Sequence, residues 1–130
     1  MVKNPAHLHV LVVDDEPLIR WSLAETLVDA GHSVTEAGDG ETAVRLVTDD
    51  GKFFDVVVLD YRLPDSKDLN LLASIRRAAP KSAVIMMTAY GTPDLAVGAL
   101  KLGAYRVVPK PFEVRDMADL VVQAHASIPR

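Results

Sequence analysis

The sequence contains no cysteine. A disulfide framework and a thiolate metal site are therefore excluded, and this composition fits a reducing cytoplasm, where we expect the protein to work. The first ten residues, MVKNPAHLHV, carry one lysine and no long apolar stretch, so we do not expect a signal peptide. No apolar run approaches the roughly 20 residues that a membrane-spanning helix needs, and we predict no membrane association.

A strong excess of either charge is also missing. The net charge is −4 and is spread along the chain, which argues against nucleic-acid binding by this domain itself. With 130 residues, 49% of them hydrophobic and 25% charged, the chain is long enough for one globular core. We predict a single domain over residues 7–127, with 128–130 as the chain end or the start of a linker.

Five short runs rich in valine, isoleucine and leucine alternate with segments whose apolar residues recur every three or four positions. The runs span residues 9–13, 33–37, 56–59, 83–87 and 105–108. This alternation predicts an α/β fold in which right-handed crossovers place helices on both faces of a five-stranded parallel sheet. Continuously apolar strands favour this doubly wound, flavodoxin-like arrangement, whose common strand order is 2-1-3-4-5.

Helix boundaries are marked by residue type. Asp39 and Thr92 are typical N-cap residues, and Gly31 and Gly103 are typical of helix ends. These positions agree with the helices that the apolar spacing predicts between the strands.

Polar residues stand where four of the apolar runs end. Asp14 and Asp15 follow the first run, Asp60 the third, Thr88 the fourth, and Lys110 lies just beyond the fifth. Taken singly, the aspartates could cap a helix or form a salt bridge, the hydroxyl could bond to backbone, and the lysine could be solvated. Ligands of open parallel sheets bind at this edge, so the complementary groups together favour a functional site.

The chemistry of these groups suits a phosphoryl group and a metal ion. Adjacent carboxylates repel each other unless a cation lies between them, and oxygen ligands without histidine or cysteine indicate Mg²⁺. We predict Asp60 as the nucleophile, with Lys110 neutralising the phosphoryl oxygens and Thr88 donating a hydrogen bond to one of them.

Four segments carry a resemblance to a known family: VVDDE, VVVLDYRLP, MMTAYG and GAYRVVPKPF. In this order and spacing they resemble the receiver domain of two-component response regulators. The resemblance implies that Asp60 accepts a phosphoryl group from the phosphohistidine of a sensor histidine kinase. It also implies that Mg²⁺ is held by Asp15, Asp60 and the backbone carbonyl of Arg62, with Asp14 acting through water.

A closer resemblance is to the receivers of nitrogen-regulation-type activators, through IRWSL and LPDSKDLNLL. Those proteins carry an AAA+ ATPase and a helix-turn-helix after the receiver, which implies control of transcription as the output. Many receivers have glycine where this chain has Asp68. The loop here must tolerate a side chain, or Asp68 helps to cap the third helix.

The family also implies a switch. Phosphorylation would draw Thr88 inward, and Tyr105, expected on the fifth strand, would fill the space beside it. The alternative is that Tyr105 is simply a half-buried tyrosine of that strand. We hypothesise that phosphorylation promotes a homodimer through the altered surface of the fourth helix, fifth strand and fifth helix, with contacts from Lys101, Arg106, Arg115, Asp116 and Asp119. Receivers often have a cis peptide at the position of Lys110 and Pro111, but the sequence does not decide its isomer here. Arg62 and Tyr90 are candidates for controlling the phosphoryl lifetime.

Other functions fit the sequence less well. A flavodoxin-type binding module would need a phosphate-cradling loop after the first strand, where this chain is acidic. An aspartate-nucleophile phosphatase would carry a second aspartate two residues after the first, where this chain has Arg62. A receiver that no longer accepts phosphate is a third alternative, although every expected residue is present. His7 and His9 could share one strand face, but no third metal ligand is evident.

Overall fold

The computed structural model describes residues 7–49, 51–89 and 91–128. Strands and helices alternate along the chain as β1(His9–Val13), α1(Pro17–Asp29), β2(Ser33–Ala37), α2(Gly40–Thr48), β3(Val56–Asp60), α3(Asn70–Ala78), β4(Ala83–Thr88), α4(Pro93–Lys101), β5(Arg106–Pro109) and α5(Val114–Ala126). All strand pairs are parallel, and the order across the sheet is β2-β1-β3-β4-β5. The predicted fold class and strand order are confirmed.

Helices cover both faces of the sheet. On one face, buried residues of α1 and α5, including Leu23, Leu27 and Val121, pack against alternate residues of the central strands. On the other face, Leu72 and Ile75 of α3 pack against the remaining strand residues, together with α2 and α4. All five residues of β3 are buried, which explains its unbroken apolar sequence.

Three strands differ at their ends from the sequence prediction. β3 continues through Asp60 and β4 through Thr88, because their backbones still pair with the neighbouring strands. β5 begins at Arg106 and continues through Pro109, one residue later than predicted at both ends. Tyr105 therefore lies immediately before β5 rather than on it, although its backbone N–H donates to the carbonyl of Val84.

The helix ends agree with their residue types. The side chain of Asp39 accepts a hydrogen bond from the Thr42 N–H, and that of Thr92 accepts one from the Leu95 N–H. Gly31 and Gly103 follow α1 and α4 closely with φ of 97° and 100°, the left-handed region that favours glycine.

Asp68 contributes to the start of α3. Its Oδ1 accepts from the backbone N–H of Asn70 at 2.8 Å, as the capping alternative predicts. Within the described ranges, every residue other than glycine keeps a negative φ, so the loop accommodates this side chain without backbone strain.

Among the described residues, no helix combines the length and the apolar character that crossing a membrane requires.

Candidate functional site

The predicted site residues meet at the carboxyl edge of the sheet. Asp14 directly follows β1, Asp60 ends β3 and Thr88 ends β4, while Lys110 directly follows β5. The backbone N–H of Lys110 donates to the carbonyl of Thr88 at 2.8 Å, which ties the lysine to the neighbouring strand end. The peptide bond between Lys110 and Pro111, whose isomer the sequence left open, is cis. The parallel sheet therefore gathers these side chains from four separate strand ends.

Lys110 bridges the acidic residues of the site. Its Nζ lies 2.8 Å from Asp14 Oδ2, 3.2 Å from Asp60 Oδ2 and 3.5 Å from Glu16 Oε1. Burial favours the neutral amine, but the adjacent carboxylates of Asp14 and Asp60 outweigh it, and the pKa of Lys110 is raised. The site therefore holds a fixed positive charge.

Asp60 has a strongly perturbed pKa. Burial is the largest cause, the charge of Asp14 adds to it, and Lys110 opposes both, which leaves the pKa of Asp60 raised to about 6. The backbone N–H of Arg62 also hydrogen-bonds to this carboxylate. At neutral pH Asp60 is mostly ionised, and any further cation in the site would favour the ionised form.

The acidic residues form one tight group. Carboxylate oxygens of Asp14, Asp15, Glu16 and Asp60 lie within 4.8 Å of one another. Asp14 and Asp60 are buried, whereas Asp15 and Glu16 are exposed. Because four carboxylates meet here, Lys110 contacts three of them, and every candidate ligand atom of the group is an oxygen, this group fits a hard divalent cation such as Mg²⁺.

A small open cavity lies beside this group. Its volume is about 240 Å³, and its lining comprises Asp15, Glu16, Asp60, Arg62, Thr88, Ala89 and Lys110. Asp14 does not line this cavity. The cavity therefore brings the predicted acceptor, hydroxyl and lysine around one space.

Glu16 is a site residue that the sequence reasoning did not select. Glu16 belongs to the VVDDE segment. That it is the third consecutive acidic residue after β1 could have identified it. Its proximity to Lys110 gives it a place at the rim of the site.

The register corrects the predicted role of Tyr105. Its N–H bonds to Val84, four residues before Thr88 on β4, and the residue opposite Thr88 is Pro109. Four residues of strand span roughly 13 Å, so Tyr105 cannot fill space beside Thr88 in this structure. The ring instead packs against the core on the α1 and α5 side, with the Arg106 guanidinium carbon 5.4 Å from its centroid.

Tyr90 lies outside the described residues. Exposed side chains on α4, β5 and α5 include all those predicted for the dimer: Lys101, Arg106, Arg115, Asp116 and Asp119. The rings of His7 and His9 lie 5.2 Å apart before and at the start of β1, at the opposite edge of the sheet.

Comparisons with known proteins agree with this geometry. Residues 10–122 match the response regulator receiver domain. The chain is 34% identical over 115 residues to the DNA-binding transcriptional regulator NtrC of Azospirillum brasilense. It is 36% identical over 114 residues to the response regulator protein FleR of Pseudomonas aeruginosa. Each alignment covers 88% of this chain and 24% of the relative, so the chain spans about a quarter of their length.

Solved structures share the fold. A CheY-like receiver domain protein from Methanospirillum hungatei superposes with a TM-score of 0.86 at 26% identity, over 93% of this chain and 95% of that one. A Burkholderia pseudomallei response regulator, solved with a phosphorylated aspartic acid, a calcium ion and citrate, gives a TM-score of 0.78 at 28% identity, over 92% and 73%. This chain belongs to the response regulator receiver domains, which are phospho-accepting signalling domains.

Proposed function

We propose that Asp60 is the phosphoryl acceptor of this receiver and that a sensor histidine kinase is the donor. The observation that carries the proposal is the position of Asp60 at the end of a buried strand, with Lys110 Nζ 3.2 Å from its Oδ2. The phosphorylated aspartic acid in the Burkholderia neighbour supports the same chemistry.

The proposed transfer uses the side chains of Asp60, Lys110 and Thr88. An ionised oxygen of Asp60 forms the new P–O bond while the P–N bond to the kinase histidine breaks, and the imidazole leaves with that electron pair. Lys110 neutralises negative charge on the phosphoryl oxygens, and the Thr88 hydroxyl donates to one of them. The acceptor must be ionised. Although the pKa of Asp60 is raised to about 6, most of its carboxylate is still ionised at neutral pH and can accept the phosphoryl group.

The acidic group is the proposed magnesium site. Asp15, Asp60 and the backbone carbonyl of Arg62 would hold the ion, with Asp14 acting through water. When bound, Mg²⁺ would offset the charge of the carboxylates and of the incoming phosphoryl oxygens. The calcium ion of the Burkholderia neighbour, a hard cation with the same preference for oxygen, supports this assignment.

The phosphoryl group would act by favouring a conformation in which Thr88 reaches it. Phosphorylation adds up to two negative charges and three acceptor oxygens, and only a difference in their contacts between two states can shift the balance. Thr88 is buried at the end of β4, paired with Pro109 of β5, so its motion would pass to β5 at the edge of the sheet.

We propose a homodimer through α4, β5 and α5 as the consequence, with control of transcription as the output. Both signs of charge are exposed on that surface, since Arg106 lies beside a shallow groove with Asp116 and Asp119. Sedimentation velocity with beryllofluoride and Mg²⁺ should show a faster species, and Arg106→Glu should weaken it. An unchanged sedimentation coefficient on adding the phosphoryl mimic would refute the dimer.

The acceptor is tested by incubation with acetyl phosphate and Mg²⁺, followed by intact mass. We expect one added phosphoryl group on the wild type and none on Asp60→Asn. Asp29→Asn, an exposed aspartate at the end of α1, is the matched control and should be modified like the wild type. An absent adduct on the wild type, or an equal one on Asp60→Asn, would refute the assignment.

A further inference from the structure

Arg20 of α1 joins three elements beside the acidic group. Its Nη1 donates to the main-chain carbonyl of Asp14 at 2.7 Å, and its Nε donates to Glu36 Oε1 on β2 at 3.1 Å. The Arg20 side chain is 24% exposed, so the guanidinium is largely covered. One side chain thus connects α1, β2 and the segment that carries the first two aspartates.

The bond from Arg20 completes the set of contacts that hold Asp14. The Asp14 N–H donates to the Ala37 carbonyl at 3.1 Å. Its Oδ1 accepts from the Glu16 N–H at 2.9 Å, and its Oδ2 accepts from Lys110 at 2.8 Å. With the carbonyl bonded to Arg20, every polar group of this fully buried aspartate has a partner.

The Asp14 carbonyl belongs to the peptide unit that leads into Asp15. A peptide unit is planar, so fixing the direction of that carbonyl also fixes the N–H and the Cα of Asp15. The contact with Arg20 therefore restrains the backbone that carries Asp15, whose side chain lines the cavity, and no contact between Arg20 and the Asp15 carboxylate is needed for this.

Gly38 leaves room for this arrangement. A Cβ at Gly38 would lie 3.3 Å from Arg20 Nη1, which is tighter than most real contacts. The absence of a side chain at the end of β2 thus allows the guanidinium to approach the backbone of the neighbouring strand.

We propose that Arg20 is a positioning residue of the phosphorylation site, setting the Asp14–Asp15 peptide so that the site binds Mg²⁺. The inference rests on the proposed magnesium-dependent function and extends it to a residue outside the acidic group. Groups that orient metal ligands commonly change metal affinity by 10-fold or more when they are removed.

An electrostatic role and a positioning role of Arg20 predict opposite changes in Mg²⁺ affinity when Arg20 is replaced by an uncharged residue. Removing a cation near the carboxylates would by itself strengthen their attraction for Mg²⁺. Releasing the Asp14–Asp15 peptide would weaken binding, because Asp15 would have to be ordered when the ion binds. A loss of affinity in an uncharged variant therefore reports positioning and not electrostatics.

The experiment is calorimetric titration of the unphosphorylated protein with MgCl₂. We expect the dissociation constant to rise roughly 10-fold in Arg20→Met, whose side chain has similar length but no donor. Arg45→Met is the matched control, since Arg45 is exposed on α2 and its nearest hydrogen bond is to Thr42 at 3.4 Å. The control should bind Mg²⁺ as the wild type does, or slightly more tightly.

Two further variants keep the test decisive if Arg20→Met unfolds. Glu36→Gln weakens the ion pair but leaves the carbonyl contact, so it should raise the dissociation constant less than Arg20→Lys, which loses the planar fork of donors. The thermal unfolding of each variant, recorded in the same buffer, identifies those that are folded during the titration.

The possible failures are distinguishable. If Arg20→Met or Arg20→Lys is folded and binds Mg²⁺ as tightly as the wild type, the positioning role of Arg20 is refuted while the proposed function stands. If the wild type itself neither binds Mg²⁺ nor takes a phosphoryl group from acetyl phosphate, the proposed function fails.

Discussion

The ammonium of Lys110 lies between two buried carboxylates, 3.2 Å from that of Asp60 and 2.8 Å from that of Asp14. One positive charge is therefore shared by two negative ones that sit at the ends of adjacent strands. The arrangement leaves Asp60 in an unfavourable environment for its own charge, as its pKa of about 6 shows.

This environment predicts that Asp60→Asn stabilises the protein at neutral pH. The pKa of Asp60 is raised in the native state from 3.8 to about 6, so between these values the native state binds the proton and the unfolded state does not. Stability from this group is present at low pH and is lost as pH rises through 6. Without Mg²⁺ at pH 7.5, Asp60→Asn should raise the free energy of unfolding by about 1 kcal/mol, a modest value because solvent screens an open site.

Urea unfolding of both proteins at pH 5 and pH 7.5 measures this effect. The advantage of Asp60→Asn should shrink at pH 5, and Mg²⁺ should stabilise the wild type more than the variant. A variant that is less stable than the wild type at pH 7.5 would contradict the destabilising role of the Asp60 charge.

His32 predicts a pH dependence of the opposite sign. Its Nδ1 accepts a hydrogen bond from the Leu8 N–H at 3.1 Å, which a proton on that nitrogen would break. Burial, with the charge of His7 adding to it and Asp55 opposing, lowers the pKa of His32 below 6.5. The unfolded state therefore binds the proton first, and stability is lost as pH falls below about 6.5.

The measurement is thermal unfolding between pH 7.5 and pH 5.5. His32→Asn, whose side-chain oxygen can still accept from Leu8, should reduce the fall in melting temperature over this range. His9→Asn, at an exposed position, should keep the dependence of the wild type. If both variants lose stability with falling pH as steeply as the wild type, His32 is not the responsible group.

Gly103 and Gly31 should differ when each is changed to alanine, although both have a positive φ. A left-handed backbone costs an alanine about 1 kcal/mol at either position. A Cβ at Gly103 would also lie 2.7 Å from Nε of Arg76, whereas one at Gly31 would meet nothing within 4 Å. Arg76 cannot easily move, because its Nη1 donates to the Ser82 carbonyl at 2.7 Å.

Gly103→Ala should therefore lower the free energy of unfolding by about 1 kcal/mol more than Gly31→Ala does. The difference should disappear in the Arg76→Ala background. Chemical denaturation of six proteins supplies both comparisons: the wild type, Arg76→Ala, and each glycine variant in both backgrounds. Equal losses for the two glycine variants in the wild-type background would show that the Arg76 contact is unimportant.

Asp65 should stabilise α2 from a distant part of the chain. Its two carboxylate oxygens accept from the backbone N–H groups of Gly40 at 2.8 Å and Glu41 at 2.9 Å. These are N–H groups that a helix start leaves without an internal partner, so Asp65→Ala should cost about 1–2 kcal/mol of unfolding free energy. Asp68→Ala, in the same loop, removes only contacts to Asn70 two residues away and should cost less. A larger loss for Asp68→Ala would contradict the tie between the loop and α2.

The sequence predicts most of this fold because the strands are buried on both faces, so apolar runs mark them directly. It marks strand ends less well, since Asp60 and Thr88 are polar yet continue to pair through their backbones. The candidate site residues could likewise be predicted from the sequence, because polar residues of complementary chemistry follow the apolar runs. Arg20 and Asp65 were not identified, because their contacts cross between elements and depend on three-dimensional distance.

Tyr105 shows a different limit. The family resemblance and an expected place on the fifth strand suggested a switch, but the distance of Tyr105 from Thr88 depends on the register of β4 against β5. That register is set by backbone pairing, which the order of the residues along the chain does not reveal.

The position of β3 has a consequence for where the molecule can open. β3 lies between two neighbours and all its residues are buried, whereas β5 is an edge strand whose residues are half-buried or exposed. Amide hydrogen exchange should therefore be slowest in β3 and faster in β5, because local opening needs less free energy at the edge. The strand that carries Asp60, the proposed acceptor, can therefore stay closed while the edge strand β5 fluctuates.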